Sequence, residues 1–321
     1  MSVRTAFRIR PFEERDYPGA LAVWNAVYAD YPSSIEVARH EDARYDGARL
    51  HLRRFVAEAA GELVGVAEFH HAPNMYHPQK FWLSVEVRPE RQGQGIGGAL
   101  YDRLLAELAP YRPLVLWANI RETHPRGLAF AERRLFREVR RAWESRLDVR
   151  RFDPAPFLAE AAQALAGLTV ATVAAERDTE PRWLEMLYDL HSEVAADVPQ
   201  PEPYTPMTLA EYRRRIIEHP EYLPEAHFLA RHEDRYVAES NLFRSLQLAQ
   251  VLYQGITGTR RAYRGRGIAL ALKLRTIAYA REAGKREIRT WNDTLNAPML
   301  AINTRLGFVR QPAWLTVERT L

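Results

Sequence analysis

The chain contains two copies of one order of strands and helices, and this internal repeat limits its fold more than any other feature. In the first copy, an alternating segment at 7–12 leads into Glu-Arg-Asp at 14–16. In the second, an alternating segment at 168–173 leads into Glu-Arg-Asp at 176–178, an offset of 162 residues. Alternation of apolar and polar residues is typical of half-buried strands. The 321 residues therefore indicate two similar domains, each long enough for its own core.

Each copy continues through a hairpin and a further strand to a glycine-rich turn and an amphipathic helix. The turns are Gln-Gly-Gln-Gly-Ile-Gly at 92–97 and Arg-Gly-Arg-Gly-Ile-Ala at 264–269, an offset of 172 residues. The growth of the offset predicts an insertion in the second copy, and the proline-rich run 198–206 is its expected position. We therefore predict an α/β fold with a mixed α+β sheet, divided into an N-terminal domain over 1–150, a linker over 151–165 and a C-terminal domain over 166–321.

Composition excludes several kinds of chemistry. The chain has no cysteine, so disulfides, thiolate metal sites and a cysteine acyl-enzyme are all excluded. The net charge is +4, but positive and negative residues are interspersed, so we expect no nucleic-acid partner. We also expect no membrane partner and a cytoplasmic location, because apolar runs are short and the first residues lack the apolar core of a signal peptide.

The two glycine-rich turns are candidate anion sites. A strand, a tight turn with two glycines and a helix direct several backbone N–H groups to one point, and the helix N-terminus adds a partial positive charge. Neither turn ends in Gly-Lys-Ser/Thr, so neither is a P-loop. Each turn follows the fourth strand of its copy, which is the wrong position for a dinucleotide fingerprint. The repetition of the turn in equivalent positions favours a pyrophosphate-binding role.

These segments resemble motifs of one enzyme superfamily. Residues 87–100 resemble the Gln/Arg-x-x-Gly-x-Gly/Ala signature of the GCN5-related N-acetyltransferases (the GNAT superfamily), and residues 259–273 are similar. Residues 292–308 resemble the closing motif of that superfamily. The resemblance covers nearly the whole chain in tandem, as in two-domain bacterial acetyltransferases. It implies an acetyl-CoA-dependent N-acetyltransferase with no metal, acting on the primary amine of a small molecule.

The resemblance also implies which residues contact acetyl-CoA. Backbone N–H groups of the turns would hold the pyrophosphate, and the preceding strand would pair with the pantetheine arm. The residues implied in the first copy are Val85, Val87, Gln92, Gly93, Gln94, Gly95, Ile96, Gly97 and Gly98. Those implied in the second copy are Thr257, Thr259, Arg264, Gly265, Arg266, Gly267, Ile268, Ala269, Asn292 and Asn296.

Transfer in this family is typically direct, which agrees with the absence of cysteine. Family members often use a tyrosine, four residues before the glycine of the closing Gly-Phe, to protonate the leaving thiolate. Asn303 stands there in the second copy and Ala131 in the first. Asparagine can form hydrogen bonds but cannot supply a proton at neutral pH, so the usual thiolate acid is in doubt in both copies.

Other candidate catalytic residues lie on predicted strands. Glu68 and Glu86 are carboxylates of the first copy, and each is either catalytic or part of an exposed strand face. Tyr253 precedes Arg264 by the spacing at which the family often has its catalytic acid, although a packed tyrosine is the simpler interpretation. His70, His71 and His77 cluster in the first copy, but their spacing matches no strong zinc pattern.

Three questions stay open from the sequence. The better closing motif favours the second copy as the catalytic one, although both copies could bind CoA. The alternatives to small-molecule acetylation are a CoA-binding pseudoenzyme or sensor, and a peptide or protein N-acetyltransferase. The chain would act as a monomer or a homodimer.

Overall fold

The computed structural model describes residues 6–321, which contain thirteen strands and ten α-helices. The strands are β1 (Arg8–Pro11), β2 (Leu52–Ala59), β3 (Glu62–His70), β4 (Lys80–Val87), β5 (Val115–Arg121), β6 (Arg137–Asp148), β7 (Thr169–Thr172), β8 (Tyr222–His232), β9 (Arg235–Arg244), β10 (Val251–Thr259), β11 (Glu287–Asp293), β12 (Val309–Arg310) and β13 (Trp314–Thr320). The helices are α1 (Tyr17–Val27), α2 (Ile35–Asp42), α3 (Ile96–Leu108), α4 (Pro125–Glu132), α5 (Leu158–Ala164), α6 (Val173–Thr179), α7 (Trp183–Ala196), α8 (Leu209–Tyr212), α9 (Ile268–Glu282) and α10 (Ala297–Arg305).

These elements form two compact units. Unit 1 contains the chain up to Arg140 together with Leu315–Leu321, and unit 2 contains Arg141–Trp314. Each unit is a mixed sheet covered by helices, which confirms the predicted fold class.

The sheet of unit 1 has the strand order β1-β2-β3-β4-β5-β13. Strands β1 to β4 pair antiparallel, and β4 and β5 pair parallel. The last strand of the chain lies beside β5, where the Trp117 Nε1–H donates to Glu318 Oε2 at 2.8 Å and the Leu321 N–H donates to the Leu114 carbonyl at 3.0 Å. The C-terminal residues therefore complete the sheet of the first unit.

Helices bury both faces of this sheet. On one face, α3 presents a stripe of apolar side chains at four-residue spacing to Phe55, Phe69, Phe81 and Val317. A repeat of four residues returns to the same side of a helix, so this stripe can be buried along its whole length. On the other face, Val23 of α1 packs on the strands. The α3 residues of the stripe are Ile96, Leu100, Leu104 and Leu108.

Unit 2 repeats this arrangement with the strand order β6-β11-β10-β9-β8-β7. Strands β10 and β11 pair parallel, and β10 and β9 pair antiparallel with a bulge between Gln254 and Thr257. Helix α9 covers one face of the sheet and α7 covers the other. The repeat therefore extends to the order and direction of the central strands.

The units differ from the domains drawn on the sequence in two respects. The closing strand of each copy pairs with the fifth strand of the other copy: β13 lies beside β5, and β6 pairs with β11 from Ala142 to Asp148. Two similar copies offer two similar sheet edges, so the sequence period cannot show which edge a closing strand joins. Residues 151–165, interpreted as a linker, include α5, whose Ala161 and Ala164 pack in the core of unit 2.

A matched pair of valines tests the contribution of the last strand. Val317 on β13 is 5% exposed within the core of unit 1, whereas Val309 is 63% exposed. We expect Val317→Ala to lower the free energy of unfolding by about 1–3 kcal/mol, from lost burial and a residual cavity. Val309→Ala should change it by less than about 0.5 kcal/mol. Urea unfolding monitored by circular dichroism measures both, and equal effects would contradict the assignment of β13 to this core.

Candidate active site

The glycine-rich turn of unit 1 borders an open cavity. Gly93 and Gly95 have φ angles of 80° and 89°, in the left-handed region that glycine tolerates best. A Cβ added at either would meet nothing within 4 Å. Gly95 is the N-cap of α3, so the free N–H groups of this helix are directed at the turn. The adjoining cavity has a volume of about 680 Å³ and lies between the turn and α4.

Arginine side chains line this cavity opposite the turn. They are Arg126, Arg133 and Arg134. The Arg134 guanidinium lies over the Phe130 ring, 3.5 Å from its centroid. Arg126 and Arg133 are exposed, and within residues 6–321 neither has an ion-pair or hydrogen-bond partner. A helix N-terminus facing free guanidinium groups is suited to an anion with several phosphate oxygens.

A second cavity opens where β4 and β5 part. The two strands pair only from Lys80 to Trp82 and from Val115 to Trp117. Beyond these residues a cavity of about 380 Å³ separates the strands. Val85, Val87 and Gln92 line both cavities, so a single cleft runs from the glycine-rich turn to the gap in the sheet.

The residues of unit 1 that the resemblance implies for acetyl-CoA binding border this cleft, some through the side chain and others through the backbone. The Gln92 side chain donates from Nε2 to the Val87 carbonyl at 3.1 Å, which ties the turn to the end of β4. Ile96 is 1% exposed in the core, so only its backbone can face a ligand. Gly97 has the Phe130 ring 3.4 Å from where a Cβ would be. The cleft is therefore bounded chiefly by backbone and small residues.

The two candidate carboxylates of unit 1 have opposite environments. Burial alone would raise the pKa of Glu68, but the Arg54 guanidinium, 2.6 Å away, outweighs burial and holds that pKa at about 2. Glu86 lines the gap in the sheet and has no ion-pair partner within residues 6–321. Burial, with a contribution from the charge of Glu68, raises the pKa of Glu86 to about 8. Glu68 is a structural anion, and Glu86 is a carboxyl group that can exchange a proton near neutral pH.

Two further polar side chains of the cleft were missed in the sequence. Tyr28, at the end of α1, and His124, the N-cap of α4, line the cavity with Glu86. Their rings stack with centroids 5.4 Å apart. Burial lowers the pKa of His124, and the Arg121 charge lowers it further, so the imidazole is neutral at pH 7. One feature of the sequence could have pointed to His124. When the two copies are aligned, His124 occupies the position that Asn296 has in the second copy.

The turn of unit 2 has the same backbone but different surroundings. Gly265 and Gly267 have φ angles of 75° and 81°. A Cβ at Gly267 would lie 3.2 Å from the Ala164 Cβ and 3.9 Å from Glu160 Oε1. Helix α5 therefore covers this turn, and the adjoining cavity of about 530 Å³ is lined by α5 instead of α10. Arg305 binds Glu160 at 2.7 Å and lowers its pKa, so a carboxylate stands beside the second turn.

Charge is also neutralised at the first residue of the second turn. Arg264 forms an ion pair with Asp197 and donates from Nε to the Thr259 carbonyl at 3.0 Å. The latter bond is the equivalent of the one from Gln92 in unit 1. Arg266 and Ala269 remain at the turn, and the Ile268 side chain is buried. The Thr257 Oγ1 bonds to the Ser240 Oγ at 2.9 Å.

The closing motif of unit 2 forms an internal polar network. Asn303 is 2% exposed and donates from Nδ2 to Asn292 Oδ1 at 2.7 Å. The Asn296 side chain caps α10 by accepting from the Met299 N–H at 3.3 Å. These contacts hold the end of β11 to α10. Tyr253 packs against Trp291, with ring centroids 5.7 Å apart, at the last paired residue of β10 before the strands part.

The histidine cluster of unit 1 has structural partners. His71 Nδ1 accepts from the His51 N–H at 3.0 Å, and its Nε2 lies 3.3 Å from the Pro78 carbonyl. No group of three or more His, Cys, Asp or Glu side chains within residues 6–321 is arranged to hold a metal ion. Over the same residues, no helix is both long enough and apolar enough to cross a bilayer.

Comparisons with known proteins agree with this fold. Residues 20–136 match the sequence profile of the Acetyltransferase (GNAT) family. A mycothiol acetyltransferase of Catenulispora acidiphila is 26% identical over 237 residues, covering 71% of this chain and 69% of that protein. A tandem GNAT protein from the clavulanic acid biosynthesis pathway superposes with a TM-score of 0.77 at 19% identity, covering 98% of each chain.

A GCN5-related N-acetyltransferase from Sphaerobacter thermophilus superposes with a TM-score of 0.69 at 20% identity, over 98% of this chain and 95% of that one. Unit 1 thus carries a GNAT acetyltransferase domain, and the chain has the tandem GNAT fold. These findings confirm the resemblance to a tandem GNAT acetyltransferase that the sequence showed.

The protonation of Glu86 can be tested by unfolding. Because burial raises its pKa from 4.5 to about 8, the folded state binds more protons than the unfolded state in that range. The free energy of unfolding should therefore fall as pH rises from 5 to 8, by at most about 1.4 kcal/mol per pH unit from this group. Glu86→Gln should remove this slope, and Glu90→Gln, at an exposed position, should keep it. Identical pH dependence of wild type and Glu86→Gln in urea unfolding would contradict the assignment.

Proposed function

We propose that unit 1 binds acetyl-CoA and transfers its acetyl group directly to the primary amine of a small molecule. One observation carries the proposal: a continuous cleft joins the glycine-rich turn to the gap between β4 and β5. The pyrophosphate would bind at the turn, facing Arg126 and Arg133, and the pantetheine arm would run along Val85 and Val87. The thioester would then lie beside Glu86.

The chemistry needs few groups. The acceptor amine, once deprotonated, attacks the thioester carbon, a C–N bond forms, and the C–S bond breaks to release the CoA thiolate. A backbone N–H of the unpaired part of β4 would polarise the thioester carbonyl. No residue is acylated, which agrees with a chain that has no cysteine. Holding both reactants in one cleft supplies most of the acceleration, because it removes the entropy cost of their encounter.

The size of the gap supports a small acceptor. Its volume of about 380 Å³ is at the lower end of the range typical of small-molecule pockets. Val27 and Tyr28 border it on one side, and His124 borders it on another. A peptide acceptor would need an extended open groove along this wall.

The proposal assigns catalysis to the first copy, whereas the closing motif favoured the second. In unit 2, α5 covers the turn and places beside it the carboxylate of Glu160, which is paired with Arg305. A carboxylate close to the pyrophosphate position opposes phosphate binding. The family profile matches residues 20–136, within the first copy. We therefore propose that unit 2 is a scaffold that does not bind acetyl-CoA at its turn.

A matched pair of glycines tests which unit binds. Gly95→Ala would direct a Cβ into the first turn, and Gly267→Ala is the equivalent change in the second. We expect calorimetric titration of acetyl-CoA to give one site per chain. Gly95→Ala should raise its Kd at least about tenfold, and Gly267→Ala should leave Kd and stoichiometry unchanged. Two sites, or a loss with Gly267→Ala alone, would contradict the assignment to unit 1, and no binding would reject the acetyltransferase proposal.

The free arginines of the cleft give a second test. Arg126→Ala and Arg133→Ala should each weaken acetyl-CoA binding by about 1–3 kcal/mol at low salt, the size of a charge-assisted hydrogen bond. The loss should shrink as salt is raised, because exposed charges are screened. Arg266→Ala, on the turn of unit 2, is the control and should have no effect. Equal losses for all three variants would indicate a general charge effect instead of a site.

A further inference from the structure

The cleft of unit 1 lacks the tyrosine that the closing motif would normally provide. Ala131 occupies that position and is 6% exposed, with no group that could donate a proton. The titratable side chains that line the same cavity include Glu86 on β4 and His124, where β5 leads into α4. Glu86 lies on one of the two strands that part to form the cavity, and His124 follows the end of the other. Each wall of the gap therefore carries a side chain that can donate or accept a proton.

Glu86 is placed to carry a proton at neutral pH. Its carboxyl group is buried, and its Oε2 accepts from the Ser84 Oγ at 3.1 Å. The nearby cation, Arg54, is already bound by Glu68 and by Asp42, at 2.6 and 2.8 Å respectively. An unpaired buried carboxylate is costly, and the negative charge of Glu68 makes it more so. The neutral acid is therefore the resting form of Glu86.

His124 has the opposite tendency. The positive charge of Arg121 and partial burial both disfavour its imidazolium form. Tyr28, which packs on its ring, is itself a neutral phenol because burial raises its pKa. Within residues 6–321 no hydrogen bond engages either ring nitrogen of His124. The imidazole is therefore available to accept a proton from a group in the cavity.

We propose that His124 takes the proton from the acceptor ammonium and that Glu86 donates its proton to the departing CoA thiolate. This inference rests on the proposed function of unit 1. The amine nitrogen loses one proton to His124, bonds to the thioester carbon and loses a second proton as the C–S bond breaks. That second proton restores Glu86, and His124 releases the first to solvent. The sum is one amide, one thiol and one proton.

The assignment makes a directional prediction for the pH dependence of kcat. The rate should rise as His124 loses its proton below neutral pH and fall above about pH 8 as Glu86 ionises. The opposite assignment, with Glu86 as the base and His124 as the acid, also gives a bell for the wild type, but the rate of Glu86→Gln would then fall as His124 loses its proton instead of rising. The charged or titratable groups that line the cavity or act on the pair are Arg54, Glu68, Tyr28, Tyr101, Arg126 and Arg121, which is paired with Asp30.

The experiment is a profile of kcat from pH 5.5 to 9.5, with acetyl-CoA and n-butylamine both saturating. Wild type should give a bell. Glu86→Gln and His124→Gln should each lower kcat by about 10²-fold or more. Glu86→Gln should lose the fall in kcat above about pH 8, and His124→Gln should lose the rise in kcat below neutral pH. Both variants should keep their affinity for acetyl-CoA. His232→Gln, in unit 2, is the control and should keep the full bell. A wild-type rate that rises through pH 8 to a plateau, or a Glu86→Gln rate that falls as pH rises through the range in which His124 loses its proton, would overturn the proposal.

A second readout needs no acceptor. Carbon-13 NMR of the acetyl-CoA complex, with labelled glutamate and histidine, follows both ionisations, and the two variants assign the signals. Glu86 protonated and His124 neutral at pH 7 support the proposal; Glu86 ionised or His124 charged overturns it, even if n-butylamine is not turned over. Absence of acetyl-CoA binding would instead reject the function of unit 1. The two failures are therefore distinguishable.

Discussion

Strands β4 and β5 are joined by hydrogen bonds over only three residues each, and the features of the first unit depend on where that pairing stops. Past Trp82 and Trp117, the backbone groups on the facing edges of the two strands do not pair with each other and can contact a ligand in the cavity that separates them. Burying unpaired backbone is costly, so a gap of this kind persists when the rest of the sheet holds it open. In unit 1 the core beneath α3 and the strand β13 beside β5 provide that support.

The two glycine-rich turns have the same backbone fold, but different charged side chains surround them. In unit 1 the turn faces Arg126 and Arg133, which have no partners within the described residues. In unit 2 the turn is covered by α5, beside which Glu160 is held by Arg305. Backbone geometry at the two glycine pairs is nearly identical, so the difference lies entirely in what surrounds the helix N-terminus. Both units have the same fold, and we propose that the turn of unit 1 alone binds an anion.

Features that depend on local sequence were predictable, and features that depend on register were not. The glycine turns, the amphipathic helices and the mixed sheet follow from residue spacing. Glu68 and Glu86 looked equivalent, because both are carboxylates on strands. They differ because Arg54 lies directly across from Glu68 in the β2–β3 register. The exchange of closing strands, the packing of α5 and the approach of His124 to Glu86 likewise depend on contacts between distant segments, which one sequence does not encode visibly.

Amide hydrogen exchange with and without acetyl-CoA tests the central claim most directly, because it reports on both turns in one experiment. The account predicts that acetyl-CoA slows exchange in the first turn, at 93–98, and in the unpaired part of β4. Exchange in the second turn, at 265–269, should be unchanged. Protection of the second turn without the first would contradict the assignment of the acetyl-CoA site to unit 1.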